Sequence, residues 1–122
     1  MKILKELQKY SNSPRKAVVS GELSLTYQQL WEKSEILSHQ IKYRGGGINP
    51  IIVYGHKHPY MLVAFMACAK AGAAYVPLDI NMPENRIKDI IDSVEPSIIL
   101  TTEKLAQYKE YLILDVTEES LY

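Results

Sequence analysis

The stretch from Pro50 to Asp79, PIIVYGHKHPYMLVAFMACAKAGAAYVPLD, decides how the chain folds. Ile51-Ile52-Val53-Tyr54 is an unbroken β-branched and aromatic run, the composition of a strand buried on both faces. Pro59 to Ala71 has the length of a helix and ends at Gly72, a residue that readily takes the left-handed C-cap conformation. Ala74-Tyr75-Val76 reads as the next strand, expected to stop at Pro77, which has no N–H for a ladder. A strand, a helix and a strand in this order imply parallel strands joined by a right-handed crossover.

The pattern repeats toward the C-terminus. Asn81 and Pro83 open a helix whose Ile87, Ile90, Ile91 and Val94 fall on one face, and Pro96 closes it. Ser97-Ile98-Ile99-Leu100 is a third strand, Glu103 to Tyr108 a short helix, and Tyr111-Leu112-Ile113-Leu114 a fourth strand. Toward the N-terminus, Lys2 to Tyr10 forms a helix with Ile3, Leu4 and Leu7 on one side, broken by Ser11 to Pro14. Ala17-Val18-Val19 and Leu23-Ser24-Leu25 flank Gly21-Glu22, a hairpin signal of the II′ kind. Thr26 and Gln29 have capping-box spacing ahead of a long helix. The apolar stripe of that helix is Tyr27, Leu30, Trp31, Leu37 and Ile41; Glu32, Lys33, Glu35, Lys42 and Arg44 lie outside, and Gly45-Gly46-Gly47 ends it. The expected class is α/β: a Rossmann-like parallel sheet with flanking helices and a small N-terminal hairpin. Residues 1–49 supply a helix, the hairpin and the long helix; residues 50–122 supply alternating strand–helix units within one domain.

Composition narrows the function. The 122 residues are 47% hydrophobic, and 14 basic residues balance 14 acidic ones, so a nucleic-acid partner, which calls for a basic surplus, is not expected. Cys68 is the single cysteine, excludes an internal disulfide and reads as a buried small hydrophobe. The N-terminus lacks the apolar block of a signal peptide, and Tyr60 to Ala69 is well short of the ~20 residues a membrane span needs. A cytoplasmic chain with no membrane span is expected. Tyr60 to Ala69 also contains no polar residue. A helix that is apolar all round is buried on all sides, and one sheet covers one face. Cover for the other face is expected from a second sheet, another domain or another copy of the chain.

In open parallel sheets ligands bind beyond the carboxyl ends of the strands. Those ends are Gly55-His56-Lys57-His58, Asp79, Thr101-Thr102 and Asp115. His56 and His58 lack the third and fourth ligands a metal needs, and His39 lies on an earlier helix, so the pair reads as exposed or as capping the next helix. Asp79 reads as accepting backbone N–H groups at the start of the following helix, and Thr101-Thr102 as capping the short helix after them. Gly45-Gly46-Gly47 follows a helix and precedes a strand, the reverse of a phosphate-binding loop. Ser20, Ser24 and Ser34 have no histidine nearby in sequence. These residues yield a fold and no catalytic, cofactor-binding or metal residue.

Three segments resemble the opening of adenylate-forming enzymes. Leu25-Thr26-Tyr27-Gln28-Gln29-Leu30-Trp31 is similar to their LTYxEL start, Ala69 to Asp79 to their LKAGxAYVPLD signature, and Pro83-Glu84-Asn85-Arg86-Ile87 to the PxxRI that follows. Order and spacing agree over nearly the whole chain. Pro50 to Lys57 followed by Pro59 to Phe65 looks most like the D-alanine–D-alanyl carrier protein ligases; the GDxV-type lead of peptide-synthetase adenylation domains is absent. The resemblance implies an enzyme that uses ATP and Mg to form D-alanyl-AMP. It then passes the D-alanyl group to the phosphopantetheine thiol of a carrier protein, for teichoic acid D-alanylation. The family's phosphate loop, ribose-binding aspartate, substrate pocket and C-terminal-domain lysine do not occur before Tyr122. The chain is therefore expected to be a scaffold part, inactive and without cofactor by itself, whose partner surface is the rest of the adenylation domain or another copy through residues 59–71. The alternatives are a peptide-synthetase adenylation domain and a truncated interaction module. A phosphoacceptor receiver is disfavoured because Gly55-His56-Lys57-His58 stands where its acidic pair belongs.

Overall fold

The computed structural model describes residues 2–21, 23–45 and 48–122, apart from the side chains of Lys2 and Ile3. Helix α1 (Lys2–Gln8) leads through turns, with Lys9 and Tyr10 beyond its end, to strand β1 (Lys16–Ser20), which pairs antiparallel with β2 (Leu23–Thr26). Gly21 sits at φ +60°, the left-handed region that the expected hairpin turn needs. Its neighbour Glu22 lies outside the described residues, as do Gly46 and Gly47 and the expected packing of Ile3.

Helix α2 (Tyr27–Tyr43) begins with the expected capping box: Gln29 N–H donates to Thr26 Oγ1 at 3.0 Å and Thr26 N–H to Gln29 Oε1 at 2.9 Å. Leu30, Leu37 and Ile41 are buried, whereas Tyr27 and Trp31 are half-buried. Ser34 and Ser38 share the buried stripe, their hydroxyls satisfied by donation to Trp31 O (3.0 Å) and Glu35 O (2.7 Å) within the same helix.

The alternating units follow as β3 (Ile51–Gly55), α3 (Pro59–Ala71), β4 (Tyr75–Asp79), α4 (Glu84–Val94), β5 (Ile99–Thr101) and β6 (Ile113–Asp115), then a single 3₁₀ turn at Glu119–Leu121. All four strands are parallel, in the order β4-β3-β5-β6. The α/β class, the parallel sheet and the small hairpin are as expected. Successive residues of β3 point to opposite faces. Ile51 and Val53 join α2 and α3 in one core with Val63, Ala64 and Ala67; Ile52 joins Ile87 and Ile91 of α4 in a second. Helices therefore cover both faces of the sheet.

Four expectations are corrected. First, Pro77 does not stop its strand: β4 runs through it to Asp79. Ile80 N–H donates to Gly55 O, so the period of two turns the nitrogens of Val76 and Leu78 toward β3 and that of Pro77 toward the open edge. An edge strand tolerates proline in that position. Second, β5 and β6 run to Thr101 and Asp115, each starting two residues later than expected. Third, Glu103 to Tyr108 is not a helix. Thr101 Oγ1 both accepts the Glu103 N–H at 3.0 Å and donates to Glu103 O at 2.6 Å, a side-chain closure that competes with the first helical turn, and Tyr108 is left-handed at φ +63°. Fourth, most of the outer face of α3 is covered from within the chain, with a groove left at Leu62 and Phe65. Its most extensive helix partner is α2, and Leu4, Leu7, Ala17 and Val18 of the N-terminal elements pack on the same core.

Lys70, near the C-terminus of the apolar helix, strengthens that cover. Its ammonium donates to Trp31 O and Glu35 Oε2, both at 3.0 Å, and lies 3.5 Å from the Trp31 ring centroid, with the side chain only 7% exposed. Cys68 is fully buried, as expected, and burial pushes its thiol pKa up to about 12.

Candidate functional site

The strand order places the first strand of the sheet, β3, between β4 and β5, with α3 and α4 on opposite faces. The crevice expected for a ligand in such a sheet is at the carboxyl ends of β3 and β5. Thr102 fills it. Its N–H donates to Tyr54 O at 3.1 Å, and its Oγ1 is buried without a hydrogen-bond partner. A Cβ on Gly55 would overlap Thr102 Oγ1 and come within 2.7 Å of Met61 Sδ. Glycine at position 55 is thus what lets β3 and β5 close against the first turn of α3.

The open space lies one strand over. A cavity of about 450 Å³ at the ends of β3 and β4 is floored by Met61, Phe65, Leu78 and Met82 and rimmed by His56, Lys57 and Asp79. His56 Nδ1 and Asp79 Oδ2 are 2.8 Å apart across the strand ends. Asp79 Oδ1 accepts the Asn81 N–H at 2.8 Å. Asn81 N–H first, and the His56 bond second, hold the Asp79 carboxyl below the usual carboxylate range. The expectation that Asp79 caps α4 is therefore corrected: the N-cap position is Pro83, without a side-chain bond, and Asp79 closes the turn before it and joins His56.

His58 does cap its helix, accepting the Tyr60 N–H through Nδ1 at 3.1 Å. The two histidines thus have separate partners. His39 lies on α2, its Nε2 3.7 Å from Glu35. Among the described residues no three His, Cys, Asp or Glu side chains converge as a metal site would require. Thr101 and Thr102 cap no helix, because none forms after them. Asp115 Oδ1 accepts the Thr117 N–H (2.9 Å) and hydroxyl (2.6 Å), which turns the chain into the final 3₁₀ segment. Among the described residues none of the three serines singled out bonds to a histidine. Ser34 bonds within its helix, and Ser20 Oγ donates to Lys57 O at 2.7 Å, bracing the left-handed Lys57 (φ +40°) from the hairpin.

The arrangement can orient one imidazole by one carboxylate beside an apolar cavity, and its lining residues include no hydroxyl or thiol nucleophile. Sequence reasoning named both His56 and Asp79 and missed their pairing. Twenty-three positions separate them, and only the parallel register Gly55↔Asp79 brings them together.

Comparison with known proteins follows the same scaffold. The AMP-binding enzyme family matches residues 6–120, and the chain belongs to that family. A D-alanine–D-alanyl carrier protein ligase of Bacillus licheniformis is 41% identical over 103 residues, 82% of this chain and 20% of that protein. One from Staphylococcus haemolyticus is 45% identical over 92 residues, 75% of this chain and 18% of that protein. The chain thus spans about a fifth of the length of these curated relatives. Among solved structures, a four-domain nonribosomal peptide synthetase bound to AMP and glycine superposes with a TM-score of 0.79 at 26% identity, over 95% of this chain and 9% of that one. The N-terminal subdomain of Klebsiella oxytoca NpsA superposes with a TM-score of 0.73 over 98% of this chain and 29% of that chain; at 19% identity it speaks for the fold alone.

Proposed function

We propose that residues 1–122 are one partial domain, the N-terminal subdomain of an adenylate-forming ligase that activates D-alanine. The observation that carries this reading is 41–45% identity to D-alanine–D-alanyl carrier protein ligases across three quarters or more of the chain. In such a ligase D-alanine and ATP give D-alanyl-AMP and pyrophosphate, and the D-alanyl group then passes to a carrier-protein thiol for teichoic acid D-alanylation in the cytoplasm.

The role of this segment is structural. The Ala69–Asp79 signature forms the end of α3, its left-handed Gly72 cap and edge strand β4, and the LTYxEL-like segment forms the α2 capping box. The donor set does not fit a magnesium triphosphate: the carboxylate and the imidazole at the strand ends are bonded to each other, and no acidic cluster stands by among the described residues. Nucleotide and metal are accordingly assigned to other segments of a full-length ligase. The remainder of its adenylation domain is assigned to the apolar groove between α1 and α3, where Leu7, Leu62, Phe65 and Tyr75 surround about 480 Å³. The peptide-synthetase reading keeps one supporting observation, the 26% identity to a synthetase over nearly the whole chain.

A hybrid in which residues 1–122 replace the matching segment of the Bacillus licheniformis ligase tests the proposal. D-alanine-dependent ATP–pyrophosphate exchange is expected from the hybrid and not from the 122 residues alone. A folded hybrid without exchange, or exchange by the isolated chain, overturns it.

A further inference from the structure

A second cleft opens on the opposite face of the sheet from α3, where the first turn of α4 meets the connection between β5 and β6. Its inner part holds about 160 Å³ and is lined by Tyr54, Met82, Glu84, Ile87, Gln107 and Tyr108. Glu84, Gln107 and Tyr108 are shared with a wider mouth that adds Lys88 and Glu110.

Three observations define its chemistry. Two half-buried phenol rings from separate elements, Tyr54 on β3 and Tyr108 on the β5–β6 connection, line one small space. The walls are tied together, because Gln107 Nε2 donates to Glu84 Oε1 at 3.0 Å across the cleft. The charges are mostly negative: burial first, then Glu103 and Glu84, push the Tyr54 hydroxyl pKa up, and burial followed by Glu84 does the same to Tyr108. Both rings therefore stay neutral at pH 7. Lys88 opposes this field, but it is bonded to Asp92 at 2.7 Å.

We propose that this cleft binds a compact alkylammonium cation, with the charge beside the Glu84 carboxylate and the methyl or methylene surface against Tyr54 and Tyr108. Aromatic rings beside a carboxylate suit such a cation, because the ring quadrupole and the carboxylate both attract positive charge while the rings accept apolar surface. A zwitterionic amino acid is disfavoured, because its own carboxylate would face Glu84 and Glu110. The cleft is therefore distinct from any D-alanine site.

Titration of the isotopically labelled chain with tetramethylammonium chloride, at ionic strength held constant with sodium chloride and followed by two-dimensional NMR, tests this. Saturable shifts at Tyr54, Gln107 and Tyr108 are expected, with affinity at least fivefold weaker in Glu84→Gln and in Tyr108→Leu and little changed in Tyr108→Phe. Glu84 is exposed, so Glu84→Gln should fold normally and keeps the test decisive if Tyr108→Leu does not. A parallel titration with n-butylammonium separates sources: tighter binding than tetramethylammonium identifies a lysine-type primary ammonium, weaker binding a quaternary one, and either supports the proposal. Equal binding of neutral tert-butanol, shifts that stay linear and scattered, or unchanged affinity in Glu84→Gln overturns it.

Discussion

Gly55 and Thr102 touch where two parallel strands end, and each is constrained by the other. Adding one methyl at position 55 forces Thr102 or Met61 aside, so Gly55→Ala is expected to cost about 1–3 kcal/mol, read as a lower urea midpoint. Thr102 carries the opposite prospect. Its buried hydroxyl has no partner, so the near-isosteric Thr102→Val is expected to raise stability by roughly 1 kcal/mol; a loss of stability would show that the hydroxyl is satisfied in solution. Asp79 makes a pH prediction. Its folded pKa is depressed, so the stabilisation it contributes is complete above its unfolded value, about 3.9, and is lost as pH falls through the lower folded value. NMR titration of its carboxyl should give a midpoint below 3.9, and His56→Ala should move that midpoint part of the way back. An unshifted Asp79 would mean the pair does not persist in solution.

At the scale of elements, capping and tethering decide where α2 and α3 sit. Thr26→Ala removes the Gln29 N–H bond to the Thr26 hydroxyl while the Thr26 N–H still donates to the Gln29 side chain, and should cost about 1 kcal/mol in thermal or urea unfolding. Lys70→Ala removes two hydrogen bonds and the contact with the Trp31 ring, for an expected loss of about 1–3 kcal/mol. Lys70→Arg is expected to restore less than half of that, because a planar guanidinium cannot reproduce a compact ammonium. The helices with long apolar periodicity were legible in the sequence: α3 has the bounds read from Pro59 to Ala71, and α4 falls between Pro83 and Pro96 as its prolines suggest. The stretch from Glu103 to Tyr108 was not. Six residues cannot offset the cost of nucleating a helix by propensity alone, and the Thr101 hydroxyl closes a competing turn. Pro77 misled for a related reason: its effect depends on which strand lies at the edge, and strand order is not written in local sequence.

For the whole molecule, the parallel α/β architecture was legible because the apolar runs and their breakers alternate from residue 50 onward. The carboxyl-end constellation was only half legible. Its residues were named, but their partners depend on a register between strands. The apolar helix marked a real demand for cover, and α2, α1 and the hairpin meet most of it. What is left is the groove at Leu62, Phe65 and Tyr75, where Phe65 and Tyr75 stack with centroids 5.1 Å apart. An anilinonaphthalene dye should gain fluorescence with the isolated chain, and Leu62→Lys should remove most of that gain. Equal enhancement in the variant would place the exposed apolar surface elsewhere.

The proline in β4 also makes the sheet unequal at its two ends. Ile99 N–H donates to Leu112 O and Val116 N–H to Thr101 O, so β6 turns the polar groups of Ile113 and Asp115 outward, while β4 has a missing donor at the middle of its outer rim. New strands can add readily at one end only. Two chains joined through β6 would leave a proline-interrupted rim at each extremity, and the pairing would end there. The architecture thus tolerates a dimeric accident while resisting open-ended fibril growth, the hazard that exposed parallel edges otherwise carry.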